Sequence, residues 1–214
     1  MKNYLTEIVF ILDRSGSMAS LEADTIGGFN AMIAKQQQEP GNTYVSTVLF
    51  DNTSEIIHDR IPLADVPQMT EKEYSVRGCT ALLDAVGGAI HHISNIHKYA
   101  RNEDVPEKTL FVITTDGMEN ASHIYTYDKV RQVIQQKKEL GWDFLFLGAN
   151  IDAAKEAGRF GIDRDFAVNY RCDPQGTRLN YESIGCAIQA VRASRPLSSS
   201  WKDKIISDVK KRGK

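Results

Sequence analysis

Three side-chain oxygens stand at alternate positions directly after the first apolar run of the sequence. The run is IVFIL, residues 8–12, and the segment DRSGSM that follows it carries Asp13, Ser15 and Ser17. Carboxylate and hydroxyl oxygens are the ligands that hard divalent cations prefer. An Asp-x-Ser-x-Ser string alone is weak, because the serines could instead form a turn or cap the first helix.

Two further oxygens lie far along the chain. Asp116 follows the apolar run TLFVIT, and Thr80 lies in the segment RGCTALLDA, where a helix N-cap is expected. Taken singly, Thr80 reads as a cap and the TDG string as a turn. If the two apolar runs are neighbouring parallel strands, however, all three segments reach the carboxyl edge of one sheet. The sequence therefore predicts a metal site formed by Asp13, Ser15, Ser17, Thr80 and Asp116.

The composition of this predicted site indicates which ion it holds. It contains no sulfur or imidazole, which favours Mg²⁺, or alternatively Mn²⁺ or Ca²⁺, over zinc and copper. Its two carboxylates, Asp13 and Asp116, about neutralise a divalent cation, and at least one coordination position stays open to water. A carboxylate from outside the chain could replace that water. The composition therefore favours capture of an acidic group by the metal.

Other chemistry-bearing residues are weaker candidates. Asp84 follows Thr80 by one helical turn, and could orient a metal-bound water or serve as a surface or capping acid. Asp51 and Glu119 have less support as residues of the metal site. The three histidines of one predicted helix lack the i, i+4 spacing of helix-borne metal ligands: His91, His92 and His97.

The elements that must position these oxygens follow from the hydrophobic pattern. The run YVSTVLF, residues 44–50, and the segment EIIHDRI, residues 55–61, are joined by the turn DNTS, which predicts an antiparallel hairpin. TLFVIT has no polar alternation, which is typical of a parallel strand buried on both faces. The order β-α-β-β-α-β-α-β-α-β-α predicts an α/β fold. It is a doubly wound, mostly parallel sheet with one antiparallel edge strand and helices on both faces.

Length and composition are those of an ordinary globular domain. The chain has 214 residues, of which 42% are hydrophobic and 25% charged. We place the domain at residues 1–195 and a polar, basic tail at residues 196–214, with Trp201, Ile205 and Ile206 as apolar anchors. The net charge of -2 provides no field that would attract nucleic acid or an anionic membrane.

The cysteines indicate the compartment. Cys79, Cys172 and Cys186 are an odd number without metal-type spacing, so we expect reduced thiols in a cytoplasmic protein. The alternative is a secreted protein with one disulfide and a spare thiol. The short first apolar run lacks a secretory cleavage pattern, and no run approaches the roughly 18 apolar residues of a membrane span.

Together, the three segments resemble the von Willebrand factor A (VWA) domain family and its metal-ion-dependent adhesion site (MIDAS). The family pattern is Asp-x-Ser-x-Ser, a distant Thr, and a distant Asp followed by Gly. Here it stands as DRSGS, GCTALLDA and TTDGMEN, with no substitution at the five positions. The resemblance covers about residues 3–195, including the Rossmann-like strand order and the segment FLFLGANIDA. Cys79 stands where glycine is common, a departure that could narrow access to the metal.

The resemblance implies a function as well as a fold. In the family the two serines and the Thr coordinate the metal directly or through water, and the second Asp often does so through water. An Asp or Glu of a partner protein completes the coordination. The chain would then be a binding module or adaptor rather than an enzyme, with a partner that could belong to a larger assembly containing an ATPase.

The alternative function is a metal-dependent hydrolase or phosphotransferase. Haloacid-dehalogenase-like enzymes on a similar sheet also carry an Asp after their first strand. Their chemistry uses a second acid two residues later as an acid/base. Here that position is Ser15, and no Lys is evidently placed near the metal.

Overall fold

The computed structural model describes residues 5–212 and contains one six-stranded sheet with helices on both faces. The strands are β1 (Thr6–Asp13), β2 (Thr43–Phe50), β3 (Ser54–Pro62), β4 (Lys108–Thr115), β5 (Trp142–Gly148) and β6 (Ala167–Asn169). The helices are α1 (Glu22–Gln37), α2 (Leu82–Tyr99), α3 (Tyr127–Glu139), α4 (Ala153–Arg159), α5 (Pro174–Arg192) and α6 (Asp203–Arg212).

The strand order is β3-β2-β1-β4-β5-β6, and only the β2–β3 pair among these strands is antiparallel. From β1 the chain builds outward to one edge through β2 and β3. It then returns to the other side of β1 and builds outward through β4, β5 and β6. The predicted doubly wound α/β fold is confirmed, and the order reverses between β1 and β4.

Strand β1 has polar residues only at its ends because it lies in the middle of the sheet. All eight of its residues are buried. Phe10 packs with Phe29 of α1 on one face of the sheet, whereas Ile11 packs with Val86 of α2 on the other. Successive side chains of a strand point to opposite faces, so an uninterrupted apolar run supplies both cores at once.

The helix and strand ends follow local signals. Asp152 is the N-cap of α4, and its side chain accepts a hydrogen bond from Lys155 N. Asp173 is the N-cap of α5, and its side chain accepts a hydrogen bond from Gly176 N. Gly141 has a positive φ of 82° and ends α3 as the predicted C′ glycine. Strand β6 is shorter than the apolar segment at residues 165–170 suggests, because a 3-10 turn occupies its first positions.

The C-terminal residues pack on the domain. Helix α6 lies against α5 and the edge strand β6. Trp201 and Ile205 are buried in the core, and Trp201 Nε1 donates to the carbonyl oxygen of Asp165 over 3.0 Å. The boundary between domain and tail at residue 195 stays a prediction, and residues 1–4 and 213–214 lie outside the described residues.

Two further features concern the whole of the described chain. Between residues 5 and 212 no helix is long and apolar enough to cross a membrane. Cys79, Cys172 and Cys186 are all free thiols, as the sequence predicts.

Replacing Trp201 tests the packing of the C-terminal segment. We expect Trp201→Ala to lower the free energy of unfolding by about 3 kcal/mol, because it leaves a large cavity in the core. Leu140→Ala is the control: Leu140 is 70% exposed, and its loss should change stability by less than about 0.5 kcal/mol. Urea denaturation measures both. Equal, small effects would mean that residues 196–212 do not pack on the domain in solution.

Candidate metal site at the carboxyl end of the sheet

The reversal of strand order brings the predicted acids together. Asp13 is the last residue of β1, and Asp116 directly follows β4, the strand next to it. The Ser17 hydroxyl donates a short hydrogen bond to Asp116 Oδ1, and Ser15 Oγ lies 3.2 Å from Ser17 Oγ. The Asp-x-Ser-x-Ser segment therefore reaches across to the end of β4.

The Asp13 carboxylate is buried and held from two sides. Its Oδ1 accepts from Ser15 N over 2.7 Å, and its Oδ2 accepts from Thr115 Oγ1 over 2.6 Å. The Asp13 carbonyl oxygen accepts from the Tyr74 hydroxyl over 2.5 Å. The sequence analysis missed Thr115 and Tyr74. For Thr115, its place beside Asp116 at a strand end was a usable signal, whereas nothing local marks Tyr74.

Thr80 reaches the same crevice, but it is not a helix cap. Helix α2 begins at Leu82 and its N-cap position is Ala81, so the predicted cap is wrong. The backbone of residue 80 is instead paired with Asn120: Thr80 N donates to Asn120 Oδ1 over 2.9 Å, and Thr80 O accepts from Asn120 N over 3.0 Å. This tertiary pairing holds the residue outside the helix.

Gly117 shows where the Thr80 hydroxyl points. A Cβ carbon on Gly117 would lie 3.2 Å from Thr80 Oγ1 and 3.5 Å from Ser17 Oγ. Both hydroxyls therefore border the same small space beside the residue that follows Asp116. The structure thus gathers the side chains of all five predicted residues around one crevice.

The charges of the crevice are not balanced by the chain itself. Burial raises the pKa of Asp13, against hydrogen bonds from Ser15 and Thr115, and the nearby Asp116 adds to the rise. Burial likewise raises the pKa of Asp116, whose Oδ2 is buried and accepts no hydrogen bond from residues 5–212. A cation fits here because it would stabilise both ionised carboxylates and occupy that free oxygen.

Solved structures share this topology, and one of them has an occupied metal site. The type A von Willebrand factor protein of Catenulispora acidiphila matches with a TM-score of 0.57 and 15% identity, over 85% of this chain and 42% of that one. The vWF domain of the type V pili tip protein Mfa5 from Porphyromonas gingivalis gives 0.62 and 11%, over 86% and 95%. Proximal thread matrix protein 1 from the mussel byssus, with a zinc-occupied MIDAS motif, gives 0.59 and 15%, over 84% and 44%. The chain has the von Willebrand factor A fold.

These likenesses concern the fold. No family model matches the sequence, and no curated protein matches it. The chain spans less than half the length of the Catenulispora and mussel proteins. The predicted VWA and Rossmann-like architecture is confirmed, while the five site residues stay a prediction that the crevice geometry supports.

Two other acids near the crevice, Asp84 and Glu119, bond to the loop after β4. The Asp84 carboxylate accepts hydrogen bonds from the backbone N–H groups of residues 123, 124 and 125 over 2.8–3.0 Å. Glu119 accepts from Leu83 N, Ala121 N and Ser122 N over 2.8–2.9 Å. These contacts support the structural interpretation of Asp84 over a role in orienting water.

The remaining candidates are engaged elsewhere. The three histidines of α2 contact separate partners: His91 contacts Tyr125, His92 contacts Asp59, and His97 contacts Glu7. Over residues 5–212, no group of three or more His, Cys, Asp and Glu side chains is placed to hold a metal ion. A cation in the crevice would therefore rely on hydroxyl oxygens for most of its protein ligands.

The raised pKa of Asp13 predicts that its charge destabilises the metal-free protein. We expect Asp13→Asn to raise the free energy of unfolding in EDTA by roughly 1 kcal/mol. The introduced amide would retain the bond from Ser15 N and could donate to the Thr115 hydroxyl, which lies 3.1 Å from the Gly117 carbonyl oxygen and can donate there instead. The gain should grow as pH rises and ionises wild-type Asp13, and disappear at acidic pH, where that carboxyl is neutral.

Thermal denaturation across pH checks this expectation. The control is Asp84→Asn, which weakens bonds to three backbone amides and should destabilise the domain at neutral pH. Equal losses in both variants would show that the Asp13 carboxylate is a structural acceptor like Asp84, with no excess charge to neutralise.

Proposed function

We propose that this VWA domain is a metal-dependent protein-binding module. A divalent cation would be held by Asp13, Ser15, Ser17, Thr80 and Asp116, and would capture an Asp or Glu side chain of a partner protein. The observation that carries the proposal is the crevice itself. It joins three hydroxyls to two buried carboxylates of raised pKa, one of which has an oxygen free of hydrogen bonds from the described chain.

The donor set favours Mg²⁺, with Mn²⁺ or Ca²⁺ as alternatives, because every donor is an oxygen. When bound, the cation supplies a positively polarised position that a carboxylate can occupy. The residues of the chain have separate tasks. Asp13 and Asp116 supply the two negative charges, while the hydroxyls of Ser17 and Thr80 border the open space. Zinc must be tested too, since the mussel protein has a zinc-occupied MIDAS motif.

The loop that follows Asp116 supports a protein partner. Met118 lies two residues after Asp116 and is 67% exposed, and Ile124, further along the same loop, is 70% exposed. Large apolar side chains exposed beside a polar site are typical of an interaction surface. We infer that the partner presents an apolar residue next to its acid. The fold is also found in the vWF domain of the type V pili tip protein Mfa5.

The location and assembly of the protein belong to the same proposal. Three free thiols support the cytoplasmic location expected from the sequence. The partner could belong to a larger assembly, including one that contains an ATPase. Fractionation of cells and isolation of complexes in Mg²⁺ and in EDTA test both points.

Metal binding is the first test of this proposal. Calorimetry should detect one Mn²⁺ ion per wild-type chain and none bound to Asp13→Ala, which loses half of the carboxylate charge. Ser17→Ala and Thr80→Ala should each bind Mn²⁺ roughly tenfold more weakly. Glu182→Ala, on the exposed side of α5, is the control and should bind like the wild type. Equal affinity in all of these variants would put the ion elsewhere.

Selection of peptides tests the partner chemistry. A displayed random peptide library, retained on the domain in Mg²⁺ and released by EDTA, should become enriched in sequences that share an Asp or Glu. Met118→Ser and Ile124→Ser should each weaken binding of the selected peptides by about 1 kcal/mol or more, while leaving Mn²⁺ affinity unchanged. Enrichment that is independent of metal would contradict the proposal.

An assay of phosphate-ester hydrolysis distinguishes the hydrolase alternative from the binding proposal. Turnover of generic phosphate esters that requires Mg²⁺ and is lost in Asp13→Asn would favour an enzyme. The binding proposal expects no such turnover, since Ser15 stands where the second acid of that chemistry is needed.

A further inference from the structure

Three loops meet behind the crevice. We name them the serine loop (residues 14–17), the hairpin turn between β2 and β3 (residues 51–53), and the Thr80 loop (residues 77–81). Backbone hydrogen bonds join the serine loop to the Thr80 loop: Gly16 N donates to Gly78 O over 3.1 Å, and Arg77 N donates to Arg14 O over 2.8 Å. These contacts fix how the two loops that carry the hydroxyls lie relative to each other.

The Asp51 side chain lies at the junction of all three loops. It is buried, and its Oδ2 accepts from Arg14 Nε over 2.9 Å and from Arg77 Nε over 2.8 Å. Its Oδ1 accepts from Thr53 N over 2.9 Å, and its carbonyl oxygen accepts from Ala81 N over 2.8 Å. One residue of the hairpin turn therefore contacts the serine loop and both ends of the Thr80 loop.

The charge on Asp51 is required by Arg14. The Arg14 guanidinium is among the largest fully buried side chains, and a buried cation is stable only beside a counter-charge. Its other ionic partner is Glu55, whose side chain is 55% exposed. Burial acts to raise the pKa of Asp51, but bonds from Arg77 and Thr53 and the charge of Arg14 outweigh it, so the pKa lies below its ordinary value.

The hairpin turn and the Thr80 loop also fit closely. Asn52 Oδ1 accepts from Cys79 N over 2.8 Å. Gly78 has a positive φ of 70°, and a Cβ carbon there would lie 2.1 Å from Asn52 Oδ1. The Thr80 loop can therefore pass this point only in the conformation that the hairpin turn allows.

We propose that Asp51 is a positioning residue for the metal site: it holds the Thr80 loop in register with the serine loop without contacting the ion. The inference deepens the proposed function and rests on it for the metal, but the loop contacts stand independently. Asp51 differs from Asp13 and Asp116 because its carboxylate is already paired with two arginines, Arg14 and Arg77.

The test is the near-isosteric variant Asp51→Asn, which keeps the backbone carbonyl but removes the charge between the two arginines. In EDTA, amide hydrogen exchange should become faster in peptides that cover the serine loop and the Thr80 loop, and stay unchanged in β4 and β5. The Mn²⁺ dissociation constant should rise about tenfold, as for other residues that orient metal ligands.

Two controls separate positioning from stability. Glu7 is buried and pairs with Arg60, with Glu7 Oε1 2.8 Å from Arg60 Nε, and it lies about 20 Å from Asp13 along β1. Glu7→Gln should therefore lower the melting temperature without changing Mn²⁺ affinity or exchange in the two loops. Glu55→Gln removes the exposed partner of Arg14 and should change Mn²⁺ affinity by less than about twofold.

The outcomes are distinct for the two proposals. Unchanged loop exchange in Asp51→Asn, or an equal loss of Mn²⁺ affinity in Glu7→Gln, would overturn the role of Asp51. A wild-type protein that binds no Mn²⁺ would overturn the proposed metal site, and the exchange measurement in EDTA would still decide whether Asp51 couples the loops.

Discussion

Two buried carboxylates share one crevice, and most features at this edge of the sheet follow from that constraint. Strands β1 and β4 are parallel neighbours, with Leu12 opposite Thr114, so their next residues end beside each other. Thr115 is therefore in place to donate to Asp13, and Asp116 lies one residue further on. Burial raises the pKa of both acids, so ionising them in the crevice costs free energy. The packing of the fold does not require that cost.

The acids around the crevice fall into two groups with different physical roles. Asp84 and Glu119 each accept hydrogen bonds from several backbone amides, and so hold the loop after β4 against the start of α2. Their charge is dispersed over donors that the chain supplies. Asp116 receives the Ser17 hydroxyl at one oxygen, and its other oxygen has no donor from residues 5–212. Sequence position alone does not separate these groups, since all three acids lie near the end of β4 or the start of α2. The two groups differ in the number of hydrogen-bond donors that the described chain supplies to each carboxylate.

The sequence allowed the sheet and the set of oxygens to be predicted because both depend on short-range patterns. Apolar runs mark the strands, and the reversal of a doubly wound sheet brings the ends of β1 and β4 together. The error at Thr80 has a long-range cause: Thr80 exchanges hydrogen bonds with Asn120, and Ala81 N donates to the Asp51 carbonyl oxygen, which holds both residues outside α2. The burial of Arg14 could not be predicted either, because its partner Asp51 is 37 residues away and nothing in DRSGSM indicates a buried guanidinium. Such pairings depend on tertiary packing, which overrides local propensity.

A site with two carboxylates and several hydroxyls has consequences for how metal and partner would bind. Hydroxyl oxygens carry no net charge, so a cation bound here would be held less tightly than in a site rich in carboxylates. A partner carboxylate would add a third negative charge to the coordination, so each ligand should strengthen binding of the other by the same factor. That coupling is largest when the protein oxygens need no reordering as the ion arrives. Arg14 and Asp51 lie behind the crevice rather than in it, and they stabilise the loops that present those oxygens. The buried ion pair thus affects the open crevice through loop geometry, while the two buried acids supply its charge.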